Sequence, residues 1–172
     1  MRILEQIEKI ADFGQSRIEL QKEITTIEAW HLWDYVVSRY DIIETTQVLK
    51  NFARDPDLKV VLAQGIKALN QQVQQLEELM STYGIPLPNR PPATSDSPLN
   101  VEVLTDEYIF RRVLGGIQNY IPSHAMAMIH ATSPKLREEF MTFLLEEIKM
   151  YDKFLVYGQF KGWTTEPPAY RV

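Results

Sequence analysis

Cysteine is absent from all 172 residues. That removes disulfides, thiolate catalysis and cysteine-based zinc sites together, and it fits a chain made in a reducing cytosol. Basic blocks are missing too, because the 18 Lys and Arg are scattered among 23 acids for a net charge of -5. Nothing in that distribution would neutralise a phosphate backbone, so no nucleic acid partner is expected. No window approaches the roughly eighteen apolar residues of a membrane span. The opening MRILEQIEKIADF interrupts its apolar pattern with Glu5, Glu8 and Lys9, unlike the apolar core of a signal peptide. Cytoplasmic synthesis is the expectation. Gly-rich phosphate loops and nucleophile elbows are likewise not found.

What is present is helical periodicity. Apolar residues recur at spacings of three and four, strand-like alternation is nearly absent, and the fold class is all-α. A first long pattern runs from about Glu19 to Ala53, with Ala29, Leu32, Trp33, Val36, Tyr40 and Ile43 on its apolar face. Asp55-Pro56 caps a second helix that ends before Gly84, and Thr105-Asp106-Glu107 caps a third. Pro122 lies inside the third helix, where a kink is expected. Ser133-Pro134 opens a fourth, with Phe140, Leu144, Ile148 and Tyr151 facing inward, to about Phe160 and Gly162.

Connection lengths choose the topology. The first and last joins are a few residues each, which makes antiparallel hairpins. The middle join, GIPLPNRPPATSDSPLNVEVL, holds five prolines. Extended, it could reach over roughly 60 Å, whereas a 28-residue helix is only about 42 Å long. A long crossover between helices 2 and 3 gives the up-down-down-up, ferritin-like four-helix bundle. One domain over 1–172 is expected, with an amphipathic helical segment at 1–16, the bundle at 19–162 and an extended tail at 163–172.

Glu28 and His31, three apart in EAWHLWDY, have the spacing of half a carboxylate-bridged metal centre. At 100° per residue, however, Glu28 falls at the flank of the first helix's stripe and His31 nearly opposite it, which favours a solvated pair. The second Glu-x-x-His that such a centre needs is not supplied: Glu77 and Glu78, like Glu146 and Glu147, lack a following His at that spacing. His124 lies on the inward stripe of the third helix, with Glu147 and Gln72 at the edges of theirs. A hydrogen-bonded core cluster is the first reading for these three, and a metal or small-ligand site the sharper one. His130 points outward, and Met126 and Met128 read as adaptable packing. A small apolar ligand near Pro122 is a further possibility. Leu20, Ile24, Ile27, Tyr35, Ile42 and Leu49 form a second apolar stripe that the 1–16 segment or a second subunit should cover, so they are interface candidates.

Three motifs occur in one order: EAWHLWDYVVSRY, YGIPLPNRPP and GWTTEPPAYRV. With the helix lengths, they resemble an uncharacterised family of ferritin-like proteins from endospore-forming bacteria, related to spore coat protein F, over nearly all of the chain from Gln21. The resemblance implies a ferritin-like bundle and a role in the spore coat or in sporulation. It carries no catalytic residues and no cofactor. The expected function is that of a non-catalytic structural or interaction protein, partnered by a second copy or by other spore coat proteins. The alternative is a metal-binding redox or storage protein using Glu28, His31, His124 and Glu147.

Overall fold

The computed structural model describes residues 16–90 and 104–164. The amphipathic segment, most of the crossover and the PPAY tail lie outside those residues. The described chain is helical: α1 (Arg17–Gln21), α2 (Thr26–Phe52), α3 (Pro56–Thr82), α4 (Asp106–His130) and α5 (Pro134–Lys161).

Local chemistry sets the helix ends. Asp55 accepts from the backbone N–H groups of Asp57 and Leu58 ahead of Pro56, and Thr105 and Ser133 cap α4 and α5 in the same way. At the C-terminal ends Gly84 (φ 68) and Gly162 (φ 71) adopt the left-handed conformation, and the next residues donate back to the carbonyls of Met80 and Gly158. The continuous first helix expected from Glu19 to Ala53 is in fact broken. Ser16 with Glu19 and Thr25 with Glu28 each form a reciprocal capping box, so the chain turns between α1 and α2 and starts again. Pro122 does not interrupt α4; it sits on an exposed face.

Pairings along the helices establish their directions. Tyr40 of α2 donates to Glu77 of α3. At one end of α2, the N–H groups of Thr132 and Ser133, just beyond α4, reach Glu28, and at the other end those of Arg54 and Asp55 reach Asp106. Helix α4 therefore runs antiparallel to α2. Lys161 at the end of α5 bonds Asp55 and Asp57, so α5 runs parallel to α2. The order is up, down, down, up, as expected for a ferritin-like bundle.

The core is divided into two apolar clusters. One packs Leu32, Val36, Leu76, Met80, Phe140 and Phe143 towards the start of α2. The other gathers Leu58, Leu62, Ile109, Phe110 and Phe154 at the far end. Gly158 belongs to this second region, because the ring of Phe110 lies where a Cβ would be.

Several faces differ from expectation. Trp33 and Ile148, placed inward by periodicity, are 41% and 42% exposed, whereas His31 is only 5% exposed. The second apolar stripe is not separate from the core. Leu20 and Tyr35 are buried in the first cluster, Ile24 and Ile42 pack against it, and Leu49 packs against the second. Of the six residues only Ile27 is substantially open. The cause is the inner face of α2 itself, which buries Glu28, His31, Arg39 and Thr46. Buried polar side chains shift the apparent apolar stripe towards the flank, so its apparent direction is wrong.

Candidate functional site

Glu28 is fully buried and fully engaged. Its Oε1 accepts from the backbone N–H groups of Thr132 and Ser133, each at 2.7 Å, while Oε2 accepts from the N–H and hydroxyl of Thr25 at the same distance. One carboxylate thus caps its own helix and ties it to the α4–α5 turn. Burial works to raise its pKa, but the donated backbone bonds outweigh it and hold Glu28 below the ordinary carboxylate value. The signal for this role was in the sequence, as Thr25-x-x-Glu28.

His31 does not join Glu28 in a ligand pair. Its Nε2 lies 3.2 Å from Nδ1 of His130, itself half-buried rather than on the open surface, and the two imidazoles share a proton bond. Burial first, and then the neighbouring His130, lower the pKa of His31, against a smaller opposing effect from Asp34. The ring is held neutral.

Midway along the bundle, between the two apolar clusters, a buried ion pair joins three helices. Arg39 of α2 donates through Nη2 to Glu147 Oε2 of α5 at 2.8 Å and to His124 Nε2 of α4 at 2.8 Å. Arginine donates only, so His124 accepts at Nε2 and keeps its proton on Nδ1. Burial leads the lowering of the His124 pKa, consistent with a neutral ring. Burial opposes ionisation of Glu147, yet its pKa lies below the ordinary carboxylate value; with His124 neutral and accepting, the Arg39 guanidinium is the charge that keeps the carboxylate ionised. The Arg39 guanidinium also lies over the Tyr120 ring, 5.0 Å from its centroid, and Tyr35 meets His124 edge to face at 4.7 Å. Gln72, the third member of the expected cluster, is buried but donates to Glu146 rather than Glu147. Arg39 is the member that periodicity did not single out.

A carboxylate-bridged dinuclear centre does not fit these residues. Such a centre wants four inward carboxylates and two imidazoles at one level. Glu28 is spent on backbone donors at one end of the bundle, and the middle holds one carboxylate, one imidazole and a guanidinium. Among the described residues no group of three or more His, Cys, Asp or Glu could hold a metal ion. No described helix is long and apolar enough to cross a membrane.

Beside the ion pair, a groove of about 1250 Å³ lies between the α2/α3 and α4/α5 hairpins and is lined by all four long helices.

The chain is similar to the uncharacterized protein YvdQ of Bacillus subtilis, 22% identical over 147 residues, which cover 83% of this chain and 86% of that protein. Among solved structures it is similar to a candidate spore coat protein of Bacillus halodurans, with a TM-score of 0.79, 21% identity and coverage of 87% and 96% of the two chains. A conserved hypothetical protein of Mycobacterium tuberculosis shares the fold at a TM-score of 0.64 and 15% identity, covering 77% of this chain and 98% of that one. A two-domain protein of Anabaena variabilis containing DJ-1/ThiJ/PfpI-like and ferritin-like domains matches at a TM-score of 0.63 and 17% identity, over 87% of this chain and 42% of that one. These likenesses establish a fold shared with ferritin-like domains. With its signature matched over residues 12–172, the chain belongs to the family described as proteins of unknown function, DUF3231.

Proposed function

We propose that this is a non-catalytic structural or interaction protein of the spore coat or of sporulation, working as a homo-oligomer. The observation that carries the non-catalytic part is Arg39. Its guanidinium bonds both His124 and Glu147, so the positive charge that a metal would bring to the centre of the bundle is already supplied by a side chain. A buried, hydrogen-bonded pair of this kind organises a core, and it occupies Glu147 Oε2 and His124 Nε2 with arginine N–H groups. The spore association is supported by likeness to the Bacillus halodurans protein. Assembly is supported by the outer face of α2, where Ile27, Trp30 and Trp33 remain exposed.

Spore fractionation with an antibody to this chain tests the location: recovery in the coat extract is expected, and confinement to mother-cell cytosol overturns it. Sedimentation at high concentration is expected to show self-association, against which a strict monomer counts. Elemental analysis of protein purified without chelator checks the chemistry. Stoichiometric iron, manganese or zinc that is lost in Glu147→Gln would replace this reading by a metal-binding redox or storage protein.

A further inference from the structure

The groove beside the ion pair has the features of a built ligand site. Arg39 and Gln72, 2% and 3% exposed, stand in its wall. Each has spent only part of its capacity: Arg39 uses Nη2 and Gln72 uses Nε2, while Arg39 Nη1 and Gln72 Oε1 are buried with no hydrogen-bond partner. A buried donor and a buried acceptor left open are each costly, so each calls for a partner that the described residues do not supply. Around them apolar side chains, including Ile42, Leu69, Ile117, Met150 and Phe154, stand among polar and charged ones such as Asp41, Gln75, Glu146 and Lys153.

Three mid-helix glycines support the same conclusion. Gly65 of α3 and Gly115 and Gly116 of α4 line the groove, and a Cβ added at any of them would meet nothing within 4 Å. Glycine inside a helix costs stability, and here no close helix approach requires it. What the missing side chains provide is width.

We infer that the groove binds an uncharged amphiphile, with an apolar chain along the groove and a head that accepts from Arg39 Nη1 and donates to Gln72 Oε1. A primary amide does both, and a hydroxyl can. A carboxylate fits worse. The charge of Arg39 is already balanced by Glu147, Glu146 holds the other end of Gln72, and an anionic head would offer Gln72 Oε1 no proton.

Calorimetric titration of the full chain with octanamide and with octanoate tests this. One saturable site for octanamide is expected, with octanoate at least about tenfold weaker and Gln72→Leu weakening octanamide about tenfold, as for the loss of one or two buried hydrogen bonds. Gly65→Leu and Gly116→Leu fill the groove with better helix formers, so they should abolish binding while the circular dichroism and Tm stay at or above those of the parent. Failure of octanamide to bind at millimolar concentration overturns the assignment. So does octanoate binding as well as the amide, or undiminished binding in the two leucine variants. None of these outcomes touches the spore-coat reading, which stands on fractionation.

Discussion

Replacing Glu28 by alanine removes a side chain that joins the start of α2 to the α4–α5 turn. Five donors lose their acceptor: the N–H and hydroxyl of Thr25, the N–H and hydroxyl of Thr132, and the N–H of Ser133. Thr25 and Thr132 are exposed and can turn to water, but Ser133 is buried at 9% exposure and has less access to it. Loss of a cap costs about 1 kcal/mol, and a hydrogen bond to a charged acceptor roughly 1.5–3 kcal/mol, so a total of about 3–4 kcal/mol is expected. For a chain of this size that lowers Tm by about 10 °C. Glu28→Gln, which keeps the shape and one acceptor oxygen, should cost about half as much. The pH dependence has a definite sign. Because the folded pKa of Glu28 lies below its ordinary value, its contribution is complete above the unfolded pKa and fades as pH falls through the folded one. Urea unfolding of parent and Glu28→Gln should therefore converge in acid. A Glu28→Ala penalty below about 1 kcal/mol, or a gap that widens below pH 4, would refute the reasoning.

Removing Arg39 as Arg39→Met strands the Glu147 carboxylate in the core and should cost about 3–5 kcal/mol, most of it recovered on adding Glu147→Gln; chemical denaturation of the single and double variants measures both. His31 and His124 are held neutral in the fold, so each binds fewer protons folded than unfolded and stability should fall as pH drops below the ordinary histidine pKa. Replacing His31 by Gln should flatten that loss in urea titrations between pH 7 and pH 5. Gly158→Ala drives a methyl into the Phe110 ring and should destabilise by about 1–3 kcal/mol, visible as a lower Tm with unchanged helical content at 20 °C.

Helix existence and hairpin order were readable because their causes are local. Asp55-Pro56, Thr105 and Ser133-Pro134 begin helices wherever they occur before an apolar pattern, and Gly84 and Gly162 end them through a backbone conformation that glycine adopts at little cost. The break before Thr25 was equally local and was written as a second capping box, hidden by apolar residues that continue across it. Short joins and one long one then leave few ways to connect four rods.

The inner surface of α2 was not readable in that way. Periodicity treats a buried charge as a surface residue, so Glu28, His31 and Arg39 pulled the apparent stripe of that helix outward and made Tyr35 look unpartnered. Each of these side chains is buried only because another helix supplies its partner: Ser133 for Glu28, His130 for His31, and His124 with Glu147 for Arg39. The chain alone therefore determined where its helices start and stop and in what order they run. Only the packed bundle decided which polar groups face inward, because the free energy of burying them depends on partners about a hundred residues away.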